Sequence, residues 1–162
     1  MKYLFFIIAL APFYSYSQEV QMKDGHAFYE LVDSSVTGDQ AQLYDKAKVF
    51  VVDIFKDANR VIQMDDKEKG ELVGKGNFKW GSLPPYRCDF SLRISCRDHK
   101  YRAQVYDFDV YGGTSQVSVS FDNFVEHPKK MGARTVLKHV DENVKDILAK
   151  LNKKMQSASD NF

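Results

Sequence analysis

The sequence has 162 residues, and its 23 Lys and Arg nearly balance its 22 Asp and Glu, for a formal net charge of +1. Proteins that bind nucleic acids through their phosphates generally carry a basic excess, so this balance argues against a nucleic-acid partner. The length suits a single domain that buries enough surface to need no disulfide or metal for stability.

The N-terminus has the pattern of a secretory signal peptide. Lys2 is followed by a short apolar run that ends at Pro12, and small residues precede a predicted cut after Ser17. The run is far below the roughly 20 residues that span a bilayer, so no membrane span is expected after the signal is removed. The predicted organisation is a signal peptide at 1–17, one domain at 18–155 and a polar tail at 156–162. The predicted location is periplasmic or secreted.

The next segments predict a strand and then a helix. Residues 26–32 are rich in Phe, Tyr, Leu and Val, as strands are. Thr37-Gly38-Asp39-Gln40 has the pattern of a capping box and predicts a helix start. The face of this helix is indicated by apolar residues at helical spacing, namely Leu43, Ala47, Phe50, Val51 and Ile54. Asn59 and Arg60 are predicted to end it.

Residues 61–65 and 71–80 predict two strands joined by the polar turn 66–70. In the second strand, one face carries Leu72, Gly74, Gly76, Phe78 and Trp80. The two glycines on that face predict a close approach by another element, most simply a helix.

Residues 88–97 and 100–111 predict a hairpin around the turn Asp98-His99. The expected register places Cys96 opposite Tyr101, Ile94 opposite Ala103 and Leu92 opposite Val105. The apolar positions then change parity, which predicts a bulge near Tyr106 and Asp107.

The two cysteines, Cys88 and Cys96, lie in one predicted strand. Eight residues at ~3.3 Å each separate them by about 26 Å, whereas disulfide-bonded Cα atoms lie roughly 4.4–6.8 Å apart. Both share parity with apolar neighbours, so they are predicted to be buried free thiols.

The C-terminal third predicts a short strand, a loop and a helix. Residues 116–121 alternate between apolar and polar, residues 123–132 are predicted as loop, and residues 134–154 are predicted as the last helix. The whole order is strand, helix, four strands, helix. It predicts an α+β fold, an antiparallel sheet of about five strands with two helices on one face.

The segment Asp65-Asp66-Lys67-Glu68-Lys69-Gly70-Glu71-Leu72-Val73-Gly74-Lys75-Gly76 resembles the signature of an exported bacterial family, domain of unknown function 4468. The likeness covers roughly residues 27–111. It implies a TATA-binding-protein-like fold and an exported location. It implies no activity, because the fold name describes shape and a shared fold does not transfer function.

The sequence predicts no catalytic, cofactor-binding or metal-binding residues. His26, His99, His127 and His139 share no metal-ligand spacing and are predicted as surface or capping residues. Asp65, Asp66 and Glu68 lack the spacing of a calcium loop and predict a solvated turn. No Gly-x-Ser-x-Gly elbow occurs, Gly112-Gly113-Thr114-Ser115 is typical of a turn, and Gly74-Lys75-Gly76 lies within a strand rather than in a phosphate loop.

Aromatic residues make up 14% of the chain, and several lie on predicted strands. Some are expected on the sheet face away from the helices, where Trp80, Tyr86 and Tyr106 are candidates for contact with a partner. The alternative is that residues 121–132 cover that face or that it carries only half-exposed tyrosines.

Three function hypotheses follow from the sequence. The preferred one is a non-enzymatic envelope binding or accessory module whose partner is a protein, peptide or glycan. The second is a small-ligand carrier with a pocket between the sheet and helix 134–154. The third is a hydrolase with an unrecognised site, which would need a His, an acid and a hydroxyl in one cleft.

Overall fold

The computed structural model describes residues 20–55, 62–115 and 117–157. In chain order their elements are β1 (Gln21–Lys23), β2 (His26–Asp33), α1 (Gln40–Phe55), β3 (Ile62–Asp66), β4 (Glu71–Trp80), β5 (Tyr86–Arg97), β6 (Lys100–Tyr111), β7 (Ser118–Ser120), α2 (Phe121–Glu126) and α3 (Ala133–Gln156). The predicted signal peptide at 1–17, the predicted helix end at Asn59 and Arg60, and residues 158–162 of the predicted tail lie outside the described residues.

The strands form one antiparallel sheet in the order β1-β2-β6-β5-β4-β3, and β7 pairs with the far end of β6. The α+β prediction with an antiparallel sheet is confirmed. The sheet has more strands than the five expected, because β1 and β7 add three residues each at its margins. Three-residue strands are too short to show the apolar–polar alternation by which a strand is recognised in a sequence.

The predicted hairpin register between β5 and β6 is confirmed. Cys96 pairs with Tyr101 and Leu92 pairs with Val105. The predicted bulge is also present, because Ser91 pairs with Tyr106 whereas Asp89 pairs with Asp109, so β6 holds one more residue than β5 over this stretch. Asp107 takes up the extra residue with a φ of 54°.

The capping box lies two residues later than Thr37-Gly38-Asp39-Gln40 predicts. The Asp39 carboxylate accepts a hydrogen bond from the Gln42 backbone N–H (2.8 Å), and the Gln42 side-chain oxygen accepts one from the Asp39 N–H (3.1 Å). Gly38 has a φ of 128°, which is not helical, so the helix cannot begin before it.

The loop predicted at residues 123–132 is partly wrong, because α2 occupies Phe121–Glu126. The Ser120 hydroxyl accepts a hydrogen bond from the Asp122 N–H (3.3 Å) at the start of this helix. Phe121 is fully buried with its ring 5.3 Å from that of Phe108. The alternating pattern of residues 116–121 therefore ends at Phe121, which is a buried residue of α2 and not part of a strand.

The core lies between the sheet and the helices. The α3 side chains without exposed surface are Ala133, Val140, Val144, Leu148, Leu151 and Met155. Cys88 and Cys96 are free and buried as predicted, and burial raises the pKa of each thiol to about 12. Gly76 confirms the close helix approach, because a Cβ there would overlap the Phe55 ring of α1.

Candidate functional site

The sheet has one face that none of the described helices covers, and we name it the open face. Its members pair with one another across β4, β5 and β6, on the side opposite the core. They are Glu71, Val73, Lys75, Asn77 and Lys79 of β4; Arg87, Asp89, Ser91, Arg93 and Ser95 of β5; and Arg102, Gln104, Tyr106, Asp109 and Tyr111 of β6. Polar and charged side chains therefore dominate this face.

Two arginines of the open face lie against tyrosine rings. The guanidinium of Arg87 lies 4.1 Å from the centroid of the Tyr111 ring, and that of Arg93 lies 6.0 Å from the centroid of Tyr106. Attraction between a cation and an aromatic ring holds such pairs in place on a surface. The Nε of Arg93 is buried and has no hydrogen-bond acceptor among the described residues.

A depression of about 670 Å³ opens on this face beside the β6 bulge. Its floor includes Ser91, which is buried and donates a hydrogen bond to Asp107 (3.3 Å). Charged groups of both signs line it: Lys75, Arg87, Asp89, Asp107, Asp109 and Asp122. Asp89 and Asp109 lie directly opposite each other on paired strands, and Arg87 Nε, 3.0 Å from the Asp89 carboxylate, offsets part of their repulsion. The depression thus suits a polar ligand that both donates and accepts hydrogen bonds.

A histidine, an acid and a hydroxyl do meet at the rim of this depression. His26 Nδ1 lies 3.1 Å from the Asp122 carboxylate, and the Ser120 hydroxyl donates to the same carboxylate (3.0 Å). Hydrolytic triads instead place the imidazole between hydroxyl and acid, so that it can take the hydroxyl proton. Here the acid is in the centre, and no hydrogen bond joins His26 to Ser120 in the described part of the chain.

Asp122 serves to hold α2 against β2. Its carboxylate accepts a hydrogen bond from the backbone N–H of Ala27 at 2.7 Å. Burial opposes its ionisation, but the hydrogen bonds from Ala27, His26 and Ser120 outweigh burial and hold the pKa of Asp122 below its usual range. The carboxylate is therefore a structural acceptor that stays ionised.

The structure separates the three aromatic residues that the sequence proposes for partner contact. Tyr106 lies on the open face, whereas Trp80 and Tyr86 pair with each other on the helix side. Trp80 is only 8% exposed, and its ring stacks between those of Tyr86 (5.5 Å) and His139 of α3 (5.7 Å). Trp80 shares the parity of Leu72 and therefore lies on the helix-packed side of the sheet and not on the open face. Tyr86 remains 43% exposed at the sheet end.

Arg87, Arg93 and Tyr111 are open-face residues that the sequence reasoning did not select. A signal for them exists, because they occupy the alternate positions of β5 and β6 whose neighbours in the chain are buried. Their pairing across strands depends on the bulge. Beyond it, parity along β6 changes and brings Tyr111 opposite Arg87.

The four histidines are dispersed over the fold. His99 lies in the β5–β6 turn with a φ of 58°, and its N–H donates to Gly38 O. His127 Nδ1 lies 3.1 Å from Asn123 O at the end of α2, and His139 packs on Trp80. Within the described ranges, no three His, Cys, Asp or Glu residues are grouped so as to hold a metal ion. Nor does any helix described there have the length and apolar character to cross a bilayer.

The residues of the Asp65–Gly76 signature stabilise the turn between β3 and β4 and the contact of β4 with α1. Asp66 accepts from the Lys69 N–H (2.9 Å) and closes the turn. Gly70 has a φ of 64°, and a Cβ there would lie 2.6 Å from Cys96 O. Gly76 makes room for Phe55 in the same way. These residues maintain the backbone geometry of the turn and of the helix contact, and they contribute little to the depression beyond Lys75 and Gly76.

Comparisons with known proteins agree with this architecture. A family model described as a domain of unknown function (DUF4468) with TBP-like fold matches residues 28–111. No curated protein sequence matches the chain.

Solved structures show the same fold at low sequence identity. A TBP-like protein from Parabacteroides distasonis is 12% identical, with a TM-score of 0.72 over 86% of this chain and 98% of that one. A DUF4468 family protein from Bacteroides ovatus is 14% identical, with a TM-score of 0.70 over 88% of this chain and 94% of that one. The fold is TBP-like and α+β, and the family model covers residues 28–111, which is more than half of the sequence. This chain therefore belongs to the DUF4468 family.

Proposed function

We propose that this protein is a non-enzymatic binding module of the bacterial cell envelope, exported with residues 1–17 as its signal peptide. The open face is the surface that meets the partner. One observation carries the proposal: a broad sheet face left free of the described helices holds a concave polar site flanked by arginine–tyrosine pairs. Concave sites with a few convergent polar groups are the usual places of ligand binding.

The chemistry of the open face favours a partner rich in hydrogen-bonding groups, such as a peptide, a glycan or a polar protein surface. Arg87 and Arg93 supply guanidinium donors, while Asp89 and Asp109 supply adjacent carboxylate acceptors. Tyr106 and Tyr111 add aromatic area held by their arginine neighbours. Tyrosine and arginine are the residue types that most often carry binding energy at interfaces.

The core packing favours this module over a small-ligand carrier. A carrier of the kind expected from the sequence needs space between the sheet and α3. The α3 side chains Val140, Val144 and Leu148 have no exposed surface there. Close packing of this kind supports placing the binding site on the opposite side of the sheet.

The test is chemical crosslinking in intact cells with a C-terminally tagged full-length chain, followed by mass spectrometry. The double variant Arg93→Ala/Tyr106→Ala is expected to lose at least about tenfold of the captured partner, because hot-spot truncations commonly reduce affinity by that much. The matched control is Tyr86→Ala, which removes an exposed tyrosine from the other side of the sheet. Melting temperatures of the purified variants show whether each is folded.

Loss of capture with Tyr86→Ala but not with Arg93→Ala/Tyr106→Ala would move the partner to the helix side. Capture of nothing by the unaltered chain would refute a protein partner, and native mass spectrometry would then show whether a glycan or peptide fragment copurifies. N-terminal sequencing of the cellular protein tests export, since cleavage after Ser17 leaves Gln18 first.

A further inference from the structure

Three connections lie together at one end of the domain, which we name the basic end. Residues 81–85 join β4 to β5, where Trp80 pairs with Tyr86. Residues 112–115 follow Tyr111, which pairs with Arg87 at that same end of the sheet. The two connections touch, because a Cβ on Gly113 would lie 3.2 Å from the Pro84 ring.

The connection between α2 and α3, residues 127–132, belongs to the same end. At the far end of α3, Asn152 accepts a hydrogen bond from the Tyr101 hydroxyl (2.8 Å) at the start of β6. His139 stacks on Trp80, near the opposite ends of the strands. Ala133 lies six residues before His139, so α3 begins about 9 Å beyond the level of Trp80. The 127–132 connection therefore projects past the sheet at the basic end.

The most exposed large apolar side chains of the described residues are all at this end. Leu83 in the first connection is 94% exposed, Val117 just before β7 is 76% exposed, and Met131 in the third connection is 102% exposed. All other exposed large apolar side chains reach 55% at most. Each of the three is a separate projection, so together they form points rather than a flat patch or groove.

Charge is polarised along the same axis. Segments 79–89 and 126–134 hold five Lys and Arg against two carboxylates, Asp89, which pairs with Arg87 (3.0 Å), and Glu126. At the opposite end, segments 33–40, 66–71, 97–100 and 151–157 hold six Asp and Glu against six Lys and Arg. Lys79, Lys129 and Arg134 form no ion pair with any described residue. The chain is nearly neutral overall, whereas its basic end carries a net positive charge.

We propose that the basic end docks on the surface of an anionic lipid bilayer. Leu83, Val117 and Met131 enter the interface between headgroups and acyl chains, while the cations contact the headgroups. Burial of apolar side chains combined with attraction of Lys and Arg to anionic lipids is how peripheral proteins hold to membranes. Separate apolar points suit a fluid interface, which closes around each, better than the flat surface of a protein. The open face lies along the side of the sheet and stays accessible in this orientation.

Flotation with lipid vesicles tests the proposal on residues 18–162, which contain the whole described core. The apolar residues 1–17 are left out because they would bind lipid themselves. The vesicles contain phosphatidylethanolamine and phosphatidylglycerol at 3:1, and phosphatidylcholine vesicles serve as the neutral comparison. We expect binding to the anionic vesicles that weakens as salt is raised, since salt screens charge attraction.

Two sets of variants separate the two contributions. Leu83→Gln/Val117→Thr/Met131→Gln is expected to abolish flotation. Its matched control at exposed apolar sites elsewhere, Val49→Gln/Val32→Thr/Met64→Gln, is expected to float like the unaltered chain. Lys129→Glu/Lys130→Glu is expected to lower the vesicle partition coefficient at least about tenfold. Its matched control, Lys100→Glu/Lys153→Glu, makes the same charge change at the opposite end of the domain.

No flotation by the unaltered chain, or equal flotation by the apolar variant and its control, overturns the proposal. So does equal binding to neutral and anionic vesicles, because it leaves the cations without a role. The open-face variant Arg93→Ala/Tyr106→Ala is expected to float normally. Membrane docking and partner capture can therefore fail independently of each other.

Discussion

Replacing Gly76 with Ala tests the close contact between β4 and α1. A Cβ at this position would lie 2.6 Å from Cδ1 and 2.8 Å from Cζ of Phe55, well inside ordinary van der Waals contact. The Phe55 ring is itself packed 5.7 Å from that of Phe90, which limits its movement. Overpacking of this kind typically costs about 1–3 kcal/mol.

Part of that cost is offset, because a Gly-to-Ala change restricts the unfolded chain and stabilises by about 0.4–1 kcal/mol where the backbone permits it. The φ of Gly76 is not in the positive range, so Ala is permitted there. We expect Gly76→Ala to lower the free energy of unfolding by about 1–2 kcal/mol. For a domain of this size the melting temperature would fall by roughly 2–8 °C.

The assay is a double-mutant cycle with Phe55→Ala, measured by urea unfolding. With the ring removed, Gly76→Ala is expected to be neutral or stabilising by up to about 1 kcal/mol, giving a coupling free energy above about 1 kcal/mol. An equal loss in both backgrounds would refute the reasoning, because it would show that the cost arises in the β4 backbone and not at Phe55.

Three further predictions concern single groups. Asp39→Ala is expected to destabilise by about 1 kcal/mol in thermal unfolding, while Thr37→Ala stays within about 0.5 kcal/mol, because Asp39 and not Thr37 accepts a hydrogen bond from the Gln42 N–H of α1; the reverse order would restore the earlier capping box. Cys88 and Cys96 are expected to react with a thiol reagent only on unfolding, because burial raises the pKa of both to about 12; rapid labelling of the native protein would contradict this. Asp122→Asn is expected to destabilise by about 1 kcal/mol at neutral pH. The folded-state pKa of Asp122 is lowered, so the ionised carboxylate stabilises the folded protein above about pH 4. This stabilisation is lost as the pH falls through the lowered pKa. The unfolding curves of the unaltered chain and of Asp122→Asn should therefore converge in acid.

The open face could be predicted only in part. Alternation marks Tyr106 as facing away from its buried neighbours, and it is on that face. Trp80 has the same aromatic character, but its parity with Leu72 and Gly76 places it in the core. Composition alone cannot separate these cases, because an aromatic ring is equally common in cores and at interfaces. Strand parity, applied consistently, separates them.

The capping of α1 shows how neighbouring signals compete. Thr37 and Asp39 are both residue types that cap helices, and each has a side-chain acceptor in the following turn. Gly38 decides between them through its backbone conformation, and its carbonyl also accepts a hydrogen bond from His99, 61 residues away in sequence. The start of α1 therefore depends on a contact between residues far apart in sequence, which a pattern of neighbouring residues does not include.

The sequence by itself determined the features that repeat along the chain. Period-two alternation sets the bounds of β4, the register of β5 against β6 and the bulge near Asp107, because each pair is adjacent in sequence and its pattern is local. Helical periodicity sets α3 within two residues. The Asp65–Gly76 segment resembles the family signature, and the family model matches residues 28–111 around it.

Only the tertiary structure decided which surfaces remain free and which residues meet on them. The depression needs β7 and α2 beside the bulge, and the basic end joins connections that lie far apart in sequence. β1, β7 and α2 have too few residues for a periodic signal, so packing against the larger elements positions them. Local patterns record what a segment buries, whereas a functional surface depends on what the rest of the fold leaves uncovered.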